Sequence, residues 1–116
     1  MKLRKIAELL DAQVLSREEL QDRDVVHVFC TDVMADVLAF SIPDTVLITR
    51  LHNLSVVRSA LMADIPCIVF SDSLVPAPEL VNLADIHGLA VMSCAGTMFD
   101  AVAALLDAGL QEAEWI

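Results

Sequence analysis

The sequence is poor in several residue types, and each shortage excludes something. Its 116 residues hold three glycines, Gly88, Gly96 and Gly109. Glycines so far apart cannot form a G-x-G-x-x-G turn or a G-x-x-x-x-G-K-[ST] phosphate loop. A G-x-S-x-G nucleophile elbow is absent as well. Aromatics reach only 4%, with no Tyr and one Trp. Lys and Arg stop at Arg58: the first 58 residues carry seven bases and nine acids, the last 58 no base and eight acids. A chain with net charge −10 lacks the cations that neutralise phosphates. It is therefore expected to bind neither nucleic acid nor an anionic membrane face. Cysteines number three, Cys30, Cys67 and Cys94, with no C-x-x-C. That set suits neither a disulfide framework nor the four thiolates of an ordinary iron–sulfur cluster. No apolar run approaches a membrane span. The apolar stretch Ile6–Leu10 is too short for a signal peptide and is broken by Glu8, so the expected location is cytoplasmic.

What the chain has in abundance is aliphatic residues. Apolar residues make up 57% of it, which rules out disorder. The length suits one domain over residues 1–116. Leu3, Ile6, Ala7, Leu9 and Leu10 have helical spacing. A short strand is expected at Gln13-Val14-Leu15. Ser16 with Glu19 resembles a capping box, with a polar loop as the equal alternative. Val25–Phe29 reads as a strand, followed by a helix capped at Thr31 or Asp32 and running to Phe40 with Val33, Val37 and Phe40 on one side.

From Thr45 onward the chain becomes regular. Strands are expected at Thr45–Thr49, Cys67–Phe70 and Ala90–Ser93, starting 22 and 23 residues apart. Helices are expected at Asn53–Met62, Pro78–His87 and Thr97–Ala108, the last two closed by Gly88 and Gly109. That pitch is one strand plus one helix, which gives parallel neighbours with right-handed crossovers. The expected fold is an α/β three-layer sandwich. Its sheet is mainly parallel with about four strands, plus an N-terminal helix and a short lead-in strand.

Open parallel sheets bind ligands outside the carboxyl ends of their strands. Those ends place Asp32, Thr49, Arg50, His52, Asn53, Ser71, Ser93, Gly96 and Thr97 along one edge. Hydroxyls and helix N-termini suit a small anion, while Ser, Thr, Asn and Asp at these places also serve as ordinary caps. An enzyme built here would pair His52 with Asp32 or Asp72. His52 has no companion at metal-ligand spacing, so no metal site and no cofactor are expected. The last helix carries only Asp100 and Asp107 as charges and is apolar round most of its circumference. It is expected to bury Met98, Phe99, Val102, Leu105 and Leu106 against a second copy of the chain.

An ordered set of segments resembles the DRTGG-domain family. It comprises Asp22-Arg23, then Thr31-Asp32-Val33-Met34-Ala35-Asp36-Val37-Leu38-Ala39, Leu47-Ile48-Thr49 and Leu51-His52-Asn53. Ala63-Asp64-Ile65-Pro66-Cys67-Ile68-Val69-Phe70 and the strand entry at Gly88–Ser93 complete it. The name-giving Thr-Gly-Gly is replaced, since Asp24-Val25-Val26 follow Asp22-Arg23, so no role of a glycine pair carries over. The resemblance implies an accessory domain of the kind found in phosphate acetyltransferases and CBS-containing pyrophosphatases, similar to the N-terminal domain of HPr kinase/phosphorylase. It does not imply a catalytic part. The function expected is a non-catalytic, homodimeric regulatory module that senses a small ligand. The alternative is a binding protein for an anionic metabolite or nucleotide at the strand carboxyl edge.

Overall fold

A computed structural model describes residues 1–39 and 42–113. A six-stranded sheet runs in the order β1 (Gln13–Val14), β5 (Ala90–Ser93), β4 (Cys67–Phe70), β3 (Thr45–Thr49), β2 (His27–Cys30), β6 (Gln111–Glu112). Neighbours from β5 to β6 are parallel, and β1 pairs antiparallel with β5. The central strands alternate between two cores, because successive side chains leave a strand on opposite faces. Val46, Ile48, Cys67, Val69, Ala90 and Met92 point to one core. Helices α1 (Leu3–Leu10) and α5 (Met98–Asp107) cover it with Leu3, Ile6, Ala101 and Leu105. Leu47, Ile68, Phe70 and Val91 point to the other. There α2 (Met34–Ala39), α3 (Leu54–Met62) and α4 (Pro78–Ile86) contribute Val37, Val56, Val57, Ala60, Leu80 and Ala84. The three-layer α/β sandwich expected from the sequence is therefore the fold.

Several local expectations need correction. Among the described residues the sheet has six strands: the expected lead-in strand is β1 at one edge, the four expected parallel strands are β2 to β5, and β6 is an unexpected parallel edge beside β2. The strand expected from Val25 begins at His27. The Val25 amide is taken by the Met1 carbonyl at 2.7 Å, and the Val26 and His27 amides both turn to the Asp44 carbonyl. Ser16 caps nothing: its Oγ accepts from the Val91 amide at 3.1 Å, and the helical turn is a 3-10 helix over Glu18–Asp22 with Arg17 before it. Val33 does not share a buried side with Val37. It is exposed, because α2 starts one residue later. The expected end of that helix at Phe40 lies outside the described residues.

The crossover helices start and stop where the sequence places their caps. Asn53 Oδ1 accepts from the Val56 amide at 3.2 Å, and Thr97 Oγ1 from the Asp100 amide at 3.1 Å. Pro78 opens α4, where its missing N–H is no loss. Gly88, at φ 72°, turns the chain out of α4 and into β5, a conformation that penalises any side chain.

Candidate functional site

The strand ends that carry the candidate residues lie level. Cys30 faces Ile48, Thr49 faces Phe70 and Phe70 faces Ser93 across the parallel ladder. The loops leaving β2, β3 and β4 therefore start side by side. Asp32, from the first loop, folds over the end of β3. Its Oδ1 accepts from Thr49 Oγ1 at 2.9 Å and from the Arg50 amide at 2.7 Å. Thr49 is fully buried, and its Oγ1 in turn accepts from the Leu51 amide at 3.2 Å. Arg50 extends its side chain to Asp72, with Nε 3.5 Å from Oδ2. The same Oδ2 accepts from Ser71 Oγ at 2.7 Å. Asp32, Thr49, Arg50, Ser71 and Asp72 thus form one continuous network over the ends of β3 and β4.

The loop after β4 is held tightly. Asp72 and Ser73 both adopt left-handed backbone, φ 59° and 58°, a conformation unfavourable for residues with a side chain. It is maintained because the Asp72 amide donates to the Gly96 carbonyl at 2.8 Å and the Ser73 amide to the Cys94 carbonyl at 2.9 Å. Ser93 Oγ donates to the Leu74 carbonyl at 2.8 Å and fastens the same loop from below.

Asp32, Thr49, Arg50 and Ser71 are therefore brought together. The other candidates are not part of that network. Asn53 and Thr97 cap helices, Ser93 ties down a loop and Gly96 lends its carbonyl. His52 is exposed, with Nδ1 3.2 Å from the Arg50 carbonyl, and no hydrogen bond joins it to Asp32 or Asp72 among the described residues. The thiols are held protonated. Burial, aided by the Asp32 charge, pushes Cys30 up to about 11. Burial alone pushes Cys67 up to about 12 and is the main cause that raises Cys94. A protonated buried thiol is a poor nucleophile. Among the described residues no three His, Cys, Asp or Glu side chains gather in a way that could hold a metal ion.

The apolar candidates divide on α5. Leu105 is fully buried against the chain's own sheet, so it belongs to the core and is removed from the set that could meet a partner. Met98 and Val102 are half-buried, Leu106 is 39% exposed and Phe99 is 79% exposed. Phe99, Val102 and Leu106 follow helical spacing of three and four, which places them on one side of α5. Sequence reasoning missed Gln21, a buried amide on the 3-10 helix. Nothing in the polar run around it marks it.

A family model for the DRTGG domain matches residues 5–108. The chain belongs to the DRTGG-domain family. In this DRTGG domain the surviving Asp-Arg pair is structural: Asp22 Oδ1 accepts from Arg4 at 3.3 Å, and Arg23 reaches Asp44 at 3.4 Å. No curated protein matches the chain. A solved structure similar to it contains the CBS and DRTGG domains of the regulatory region of Clostridium perfringens pyrophosphatase, complexed with its activator, diadenosine tetraphosphate. The TM-score is 0.70 at 15% identity, over 99% of this chain and 52% of that one. The likeness is one of fold, and the chain spans about half the length of its neighbour. Among the described residues no helix is long and apolar enough to cross a membrane.

Proposed function

We propose that this DRTGG domain is a non-catalytic regulatory module that assembles as a homodimer and senses a small ligand. The observation that carries this reading is the outer side of α5, where Phe99 and Leu106 are exposed and Val102 between them is half-buried, although Leu105 and Ala101 are buried behind them. An exposed Phe between Asp100 and the half-buried Met98 gives an apolar centre with an acidic margin, the pattern of an interface. A second copy is the occupant we favour, since a two-fold contact sets the same helix against itself. Sedimentation equilibrium at micromolar concentration tests it. A mass twice the 12.6 kDa of the chain supports the reading, and a monomer rejects it.

The alternative, an anionic metabolite or nucleotide held at the carboxyl edge, is favoured by the Asp32 network itself. Thr49 Oγ1 and the Arg50 amide are donors of the kind an oxyanion seeks, and Asp32 now occupies both. The bound nucleotide of the pyrophosphatase region supports a ligand of this class. An anion entering here displaces the Asp32 carboxylate. Asp32→Ala should therefore bind AMP or inorganic phosphate more tightly than the parent, read as a larger thermal shift. No shift with either protein at millimolar concentration rejects the alternative.

A further inference from the structure

Away from the strand ends, α1 and the segment Val14–Gln21 enclose an open cleft of about 560 Å³. Gln21 lines it and is only 3% exposed, yet neither its Nε2 nor its Oε1 has a hydrogen-bond partner. A buried carboxamide with both ends unpaired is unfavourable, and native structures leave few such groups without a purpose. The contrast with the Asp32 network is sharp, because there every polar side chain is matched within the chain.

We propose that this cleft is a second ligand site, for an uncharged flat molecule that carries a donor and an acceptor side by side, as a lactam or the edge of a nucleobase does. Gln21 supplies the complementary pair, since a carboxamide donates through nitrogen and accepts through oxygen. Both atoms lie closed off beneath the cleft surface, so binding turns the side chain outward to present them. Ala7 and Val14 give the cleft apolar walls against which a ring packs. The charges at the mouth exclude anions. Glu8, Asp11 and Glu18 stand against one cation, Arg4, whose guanidinium is already engaged by Glu18 at 3.5 Å and Asp22 at 3.3 Å. A phosphate would meet like charge here, whereas an uncharged ring would not.

The full chain is tested with adenosine, uridine and 2-pyrrolidone, with AMP as the charged comparison. At least one uncharged probe at millimolar concentration should raise the melting midpoint by several degrees. AMP should do less than adenosine. Gln21→Met, which keeps the shape and removes the amide, should melt no lower than the parent and lose the response. The proposal is overturned if no uncharged probe shifts the parent, or if Gln21→Met keeps the shift. A variant that melts well below the parent also overturns it, because the amide would then be stabilising as it stands. An AMP response larger than that of adenosine and unchanged in Gln21→Met would assign binding to the carboxyl edge instead.

Discussion

The carboxyl edge of the sheet and the α1–α5 side of the molecule answer the same physical demand differently. At the edge, polar groups find partners within the chain. Asp32 takes a hydroxyl and an amide, Asp72 takes a hydroxyl and a guanidinium, and Asn53 and Thr97 take helix amides. On the α1–α5 side, the Gln21 amide is unpaired and the Phe99 ring is bare. Exposure alone does not mark the second region, since Met62 and Ile86 are as open, at 76% and 77%. Those two end different helices, whereas Phe99, Val102 and Leu106 share one side of one helix. Polar groups at the edge are satisfied within one chain, whereas the α1–α5 side keeps an unpaired amide and an exposed ring, which is why the proposed partners are placed there.

The comparison breaks most visibly at Leu105, one position from Leu106 and opposite in role. Leu105→Ala empties a filled core position and should lower stability by about 3 kcal/mol in urea unfolding. Its loss of stability should appear in the monomer. If Leu105→Ala instead dissociates a dimer without destabilising the chain, the division of α5 is wrong. The next effect is at the edge. Asp32→Ala leaves the buried Thr49 hydroxyl and the Arg50 amide without their acceptor and should cost about 2 kcal/mol. An unchanged urea midpoint would show that the edge does not depend on that carboxylate.

The smallest effect is expected from the thiols at ordinary pH. Cys67 has its pKa raised in the folded chain from 9.0 to about 12, so the folded state holds its proton more firmly than the unfolded state does. Its stabilisation is fully present below the unfolded value and is lost as pH rises through the folded one. Stability should therefore show no pH dependence from Cys67 below about pH 8, where its contribution is fully present, and should fall between pH 9 and about 12. Cys67→Ala should shrink that alkaline fall, leaving the part that Cys30 and Cys94 contribute. If it does not, burial is not what keeps the thiol protonated.

Much of the fold was legible because its signals are large. Cys67–Phe70 and Ala90–Ser93 are apolar on both faces and bounded by Pro66 and Gly88, and both strands lie where expected. The caps Asn53 and Thr97 were readable for the same reason, since each precedes an apolar periodic run. β6 was not legible. Gln111 and Glu112 join β2 through backbone alone, with both side chains exposed, so no hydrophobic pattern announces them. Ser16 misled because its hydroxyl serves a strand 75 residues away rather than the helix beside it. The edge residues were found as a set, but their bonding was not, since only the level strand ends bring Asp32 onto Thr49. Gln21 was silent because burial of one polar residue among Glu18, Glu19, Leu20 and Asp22 is decided by tertiary packing.

If a second chain covers the outer side of α5, as proposed, Phe99 is the residue at its centre. Self-association of the parent and of Phe99→Asp should be measured by sedimentation equilibrium over a range of concentrations. The account predicts a dimer for the parent and a dissociation constant weakened at least about 30-fold in the variant, the loss of about 2 kcal/mol expected of a central aromatic anchor. Both proteins should unfold at similar urea concentrations, because Phe99 is 79% exposed and supports no core. Equal dissociation constants, or a parent that stays monomeric throughout, would contradict the account.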